Sequence, residues 1–226
     1  MDLTIPSGVI SKSKQEFVYQ VLRHSIMTCQ LLPGEKLIIQ DIADQLSVSA
    51  IPVREALRLL ASEDLVEYNA HTGAVASRIS AESITETFTI KEALETAAIR
   101  TAAKKMTDAD LQKLKDHMVQ MDEHIENKKY EEWAEINGKF HMTITDITDM
   151  PLLKEMQNRV MDKWERIRRY FFSEILTNRH EESNLDHREL IHLLEEGKID
   201  EAEELTKKHN RDALEFYMNY ITLQHK

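Results

Sequence analysis

Backbone breakers are scarce in this chain: five glycines and four prolines in 226 residues. An all-β fold turns too often to be built on so few, whereas long helices need almost none. After residue 80 only Gly138, Pro151 and Gly197 remain. The organisation therefore changes there. A first part, residues 1–79, carries short helical patterns and two strand-like runs. A second part, residues 80–226, carries long helical patterns. The predicted fold is mainly α: an N-terminal winged helix-turn-helix with a small β-hairpin, then an all-α bundle of six or seven helices.

Three patterns make up the start. A helix is expected over about 13–29, with Phe17, Val21 and Ile26 inward, stopped by the turn chemistry of Leu32-Pro33-Gly34-Glu35. Ile39, Ile42, Ala43 and Leu46 mark a second helix, and Val53, Ala56, Leu57 and Leu60 a third. Both sets fall at i, i+3, i+4, i+7, one buried stripe per helix. So tight a link between two short amphipathic helices predicts a helix-turn-helix, with Ser49 as N-cap and Pro52 in the first turn. Leu65-Val66-Glu67-Tyr68 and Ala74-Val75-Ala76-Ser77-Arg78 flank a turn containing Gly73 and read as a hairpin, the wing. Beyond it, helices are expected at about 81–106, 109–127, 130–148, 152–172, 184–196 and 200–222.

Charge and cysteine count narrow the function classes. The net charge of −11 speaks against nucleic acid only until it is divided. Residues 1–79 hold 7 Lys+Arg against 9 Asp+Glu, so the acid sits mainly in the second part and the first can present a local basic face. The single cysteine, Cys29, permits no intrachain disulfide and fits a reducing, cytoplasmic setting. No apolar run is long enough for a membrane span, and the N-terminal segment lacks an apolar signal core.

On the third helix, Arg54 and Arg58 point the same way at i, i+4, beside Ile51. With Ser49, Lys36 and the wing tip His71, Thr72 and Gly73, they form the expected contact set for duplex DNA; Lys12, Lys14 and Arg23 add phosphate contacts. The alternative for two arginines is a solvated face; the order of helices and hairpin is the more specific signal.

In the second part, Asn137 and His141 share an apolar stripe at i, i+4, His187 precedes Leu190, Ile191 and Leu194, and His209 stands among Ala202, Leu205, Ala213 and Phe216. A single inward histidine is usually a hydrogen-bonded core residue. Three are easier to explain if they converge on a divalent metal ion, for which neutral imidazole is the commonest protein ligand. His24, His117, His124, His180, His192 and His225 are expected on solvated surface. A metal-dependent enzyme is an alternative, but the only carboxylates in view as a base, Glu182 and Glu189, are near in sequence alone. A regulator sensing metal without an organic effector is another.

Residues 31–66, LLPGEKLIIQDIADQLSVSAIPVREALRLLASEDLV, resemble the winged-helix domain of GntR-type bacterial transcription regulators in the PGEKL turn, the SxxPVREALRLL helix and the closing LV. Members commonly carry Arg where this chain has Ala50, and Gly where it has Ser47 and Cys29. Residues of about 80–222 resemble the FCD effector domain, through NGKFHMTITDITDMPLL (137–153) and HRELIHLLEEGKIDEAEELTKKH (187–209). The resemblance implies no enzyme but a DNA-binding regulator, by family habit a repressor, working as a homodimer on double-stranded operator DNA. It further implies a divalent metal ion, zinc, nickel or similar, on Asn137, His141, His187 and His209, with Asn137 standing where Asp is usual. A small carboxylate effector is implied beside the ion, near Lys91, Arg168 and Arg169.

Overall fold

The computed structural model describes residues 3–6, 8, 10–69, 73–171 and 179–224. Nine helices and one hairpin are present among them: α1 (Lys14–Met27), α2 (Ile39–Gln45), α3 (Ala50–Ser62), β1 (Val66–Asn69), β2 (Gly73–Ala76), α4 (Ala81–Ala102), α5 (Asp108–Glu126), α6 (Tyr130–Ile147), α7 (Pro151–Tyr170), α8 (His180–Glu195) and α9 (Ile199–Gln224). Two compact units result: residues 1–80 with 165–170, and residues 81–164 with 171–226.

The first unit follows its periodicity closely. Val53, Ala56, Leu57 and Leu60 of α3 are completely buried, as are Val21 and Ile26 of α1; Val18 lies deeper than Phe17. Ser49 has the extended backbone of an N-cap, but its side chain makes no capping bond. The link between α2 and α3 turns at Ser47, whose φ of 53° lies in the left-handed region, as does that of Cys29 (56°) after α1. These are the two positions where the resembled family favours glycine, and the geometry supplies the reason: an L side chain there crowds its own backbone. β1 and β2 pair antiparallel, with Val66 opposite Ala76 and Asn69 opposite Gly73. The segment after Pro33 runs alongside: Lys36 bridges to Val75, and Leu37 N–H donates to the Ala74 carbonyl. The PGEKL stretch thus works as a third edge of the wing as well as a turn.

The second unit is all helical, α4 to α9. α5 starts with a reciprocal capping box: the Thr107 side chain accepts from the Asp110 N–H, and the Asp110 carboxylate accepts from the Thr107 N–H. Two boundaries differ from expectation. α4 ends at Ala102, where the Lys105 and Met106 N–H groups both fold back onto the Ala102 carbonyl. α8 starts at His180 rather than near residue 184, so that Asn184 stands inside the helix. Buried, it accepts from Trp133 Nε1 at 3.0 Å and donates to Asp122 at 2.8 Å. No helix among the described residues is long and apolar enough to cross a membrane.

Candidate functional site

The outer face of the first unit comes from α3. Its buried stripe leaves Arg54 and Arg58 exposed on the opposite side, with Ile51 72% exposed and Ser49 and Lys36 also in solvent. Arg58 pairs with Glu55 at 2.9 Å, an exposed pair that holds the side chain only weakly. Gly73 stands at the open end of the hairpin with φ 77° and nothing close to the place a Cβ would take. His71 and Thr72 lie outside the described residues.

The second site is interior. α6 carries Asn137 and His141, α8 carries His187 and α9 carries His209, all at least nine-tenths buried. One ring nitrogen from each histidine lies within 4.8 Å of the others. Ring centroids are 5.1 Å apart for 141/187, 4.9 Å for 187/209 and 5.7 Å for 141/209.

Two carboxylates orient the cluster. Glu95 of α4 lies 3.0 Å from His141 Nδ1, and Asp186 of α8 lies 3.0 Å from His209 Nδ1. Burial by itself would raise the Glu95 carboxyl, but His141 and Lys91 outweigh it and hold it well below the usual carboxylate range. The same contest at Asp186 is decided downward by its hydrogen bond to His209. An ionised carboxylate only accepts hydrogen bonds, so each Nδ1 carries the proton and each Nε2 offers a lone pair. Burial lowers all three imidazoles, His187 most strongly and His209 to about 4, which keeps them neutral near pH 7.

The donor set fits a metal ion. His141 Nε2, both nitrogens of His187 and Asn137 Oδ1 are buried without a hydrogen-bond partner. Such atoms each cost about 1–3 kcal/mol when left unpaired. Three neutral imidazoles and an amide oxygen are ligand types that zinc and similar ions accept. Two imidazole nitrogens on one ion lie at most about 4.2 Å apart, so small rotations suffice to bring the three together.

Lys91, one turn before Glu95, is buried and fully engaged: its ammonium donates to Glu95 at 2.9 Å and Asn210 at 3.0 Å. Two cavities adjoin the histidines and share His141 and His209 as a common wall. The smaller, about 360 Å³, is lined mainly by apolar side chains with Glu95 and Asp186. The larger, about 530 Å³, contains Lys91, Asn137, Arg179 and His180.

The sequence-predicted residues thus divide. His141, His187 and His209 meet at one place, and Asn137 and Lys91 line the larger cavity with His141 and His209. Arg168 and Arg169 line neither cavity; both reach Glu165, and both cluster with the first unit. His180, expected on the surface, is 3% exposed, stacked on Tyr130 at 4.4 Å and edge-on to Trp133 at 5.4 Å. His225 lies outside the described residues. Glu95, Asp186 and Arg179 were not anticipated. Glu95 left one trace, a carboxylate on the inward stripe of α4 with Lys91 and Ala98; Asp186 and Arg179 left none.

A winged helix-turn-helix is a DNA-reading fold, and here a helical unit with a polar interior follows it. Residues 14–75 match the family described as bacterial regulatory proteins, gntR family, and residues 86–212 match the FCD domain. The chain belongs to the GntR family of regulators, with an FCD domain as its second part. The HTH-type transcriptional repressor RspR of Escherichia coli strain K12 is 28% identical over 158 residues, 70% of this chain and 69% of that protein. The Nta operon transcriptional regulator of Aminobacter aminovorans is 28% identical over 84% of this chain and 90% of its own length. Among solved structures, Escherichia coli McbR/YncC superposes with a TM-score of 0.74 at 23% identity, covering 93% of this chain and all of that one. A GntR regulator from Rhodococcus gives 0.73 at 22%, over 92% and 99%. GntR regulators bind DNA, FCD domains bind small effectors, and some FCD domains bind metal ions.

Proposed function

We propose that this chain is a ligand-responsive repressor. Two copies grip a short operator palindrome, each laying α3 in a major groove, with Arg54, Arg58, Ser49 and Ile51 toward the bases and Lys36 and the wing toward the backbone. In the helical part, Asn137, His141, His187 and His209 hold a divalent metal ion such as zinc or nickel, and the adjoining cavity takes a small carboxylate effector. The repressor assignment leans on the name of the relative RspR. The metal assignment is carried by one observation: four buried atoms on His141, His187 and Asn137 have nothing to bond.

When bound, the ion would add a positive charge at the wall the two cavities share and satisfy those orphaned atoms. Glu95 and Asp186 fix the ring orientations; Lys91 keeps Glu95 ionised. An effector changes DNA affinity only by its different affinity for the DNA-bound and free arrangements.

Metal analysis of the purified protein tests the first half: about one ion per chain is expected, as in single-ion sites of this ligand count, and none in His141→Ala or His187→Ala. Gel shift against the DNA upstream of the protein's own gene tests the second. Sequence-specific, salt-sensitive binding is expected, weakened about tenfold or more in Arg54→Ala. A wild-type chain that binds zinc no better than His187→Ala, or that shows no sequence-specific shift, overturns the corresponding half. Metal added alone to the protein–operator complex should leave it intact; release by metal alone would mark a metal sensor instead.

A further inference from the structure

We infer that the larger cavity is built for a hydroxylated aromatic monocarboxylate, with Arg179 binding its carboxylate and His180 its hydroxyl. This rests on the effector reading above and narrows it to one chemical class. The walls come first. Phe88, Trp133, Trp164, Phe216 and Tyr217 all line the cavity, so both tryptophans of the chain are committed to it. Flat apolar faces bury a ring well and bury an aliphatic polyacid poorly.

Side-chain charge sets how many carboxylates the protein itself pairs. Two cationic side chains line the cavity. Lys91 is neutralised in contact by Glu95. Arg179 is not: its Nη2 donates to the His209 carbonyl at 2.9 Å, while Asp212, Asp186 and Glu182 act on it only from a distance. Among the described residues no carboxylate pairs with its guanidinium. One partly buried guanidinium with open donors calls for one planar carboxylate, the group its fork matches.

His180 supplies the third feature. Its ring is clamped between Tyr130 and Trp133, yet Nε2 is buried in the cavity wall without a partner. Burial keeps this imidazole neutral near pH 7. A hydroxyl both donates and accepts, so it satisfies Nε2 in either tautomer, which neither a bare ring nor a carboxylate does.

The test uses the full chain, zinc-free and zinc-loaded, with 4-hydroxybenzoate, benzoate and citrate as probes. Tryptophan quenching and calorimetry read binding without DNA. The expected order is 4-hydroxybenzoate, then benzoate, then citrate, with at least about tenfold between first and last. Arg179→Met should weaken both aromatic acids about tenfold or more, the usual worth of a charge-assisted bond; Arg179→Lys should recover part of it, which separates charge loss from misfolding. His180→Phe keeps the stack and should erase the preference for 4-hydroxybenzoate over benzoate while leaving benzoate affinity in place. Citrate binding as tightly as the aromatic acids overturns the aromatic class but leaves a carboxylate effector standing. Binding of no acid by a chain that still takes up zinc overturns both. Arg179→Met, folded by circular dichroism and binding with unchanged affinity, overturns the role of Arg179.

Discussion

At the centre of the first unit, α3 presents Val53, Ala56, Leu57 and Leu60 to Val21, Leu22 and Ile26, all fully buried and all apolar; at the same depth in the helical unit lie Lys91, Glu95, Asn137, His141 and His187. The first interior serves the fold, and the residues proposed for DNA contact, Arg54, Arg58 and Lys36, lie outside it. The second encloses its polar cluster, and an apolar cluster around Phe140, Trp133 and Leu190 supports it. A reader of DNA must expose its contacts, because the duplex cannot enter a core. A binder of a small ligand must enclose it, because only removal from water makes a few polar contacts selective. Interior substitutions should therefore act in opposite ways in the two units.

The largest effect is expected at Lys91→Met. Removing one partner of a buried ion pair leaves Glu95 charged in the core, at a cost of about 3–5 kcal/mol. Urea denaturation followed by helical signal should show it, and an unchanged midpoint would mean that His141, Asn210 and Gln157 suffice to hold Glu95. Leu57→Ala in the first unit should cost about 2–5 kcal/mol through the cavity it opens, and operator binding should fall with it. Differential calorimetry and gel shift together check that prediction.

His187→Leu sharpens the contrast. Both nitrogens of His187 are unpartnered, so in metal-free protein an apolar replacement should stabilise by about 1–3 kcal/mol. The same variant should lose the stabilisation that added zinc gives wild type, about 2.7 kcal/mol when the free ion exceeds its Kd a hundredfold. Thermal melts in chelator and in zinc separate the two; destabilisation in chelator would show that the imidazole has a partner after all. The smallest effect belongs to Ser47→Gly in the first unit. Its φ of 53° should make glycine more stable by about 1 kcal/mol, with DNA affinity unchanged, since the gain is backbone strain relieved away from the contact face.

How far the sequence could be read differs between the units in the same way. The α3 stripe was readable residue by residue, because burial on one helix follows from a period of 3.6 and needs no partner to be known. His141, His187 and His209 were each visible as polar residues on apolar stripes, and their meeting was an inference from number. Glu95 and Asp186, which aim two of the rings, are on α4 and α8 with nothing in their spacing that names a histidine on another helix. His180 was expected on solvated surface, between the helices read at about 152–172 and 184–196; α8 starts at His180 and its ring packs against Tyr130 and Trp133. Arg168 and Arg169 suggested an anion site by charge alone, and Glu165 on the same helix turn takes both.

By itself the sequence determined where most of each helix runs, that a wing follows a helix-turn-helix, and which apolar side chains turn inward, since these depend on contacts within a few residues along one chain segment. The tertiary structure alone decided which inward groups meet: that Glu95 charges the back of His141, that Asp186 does the same for His209, and that Arg179 and His180 open onto a ring-lined cavity. Distances across helices far apart in sequence are set by the packing of whole helices, and no local pattern encodes them.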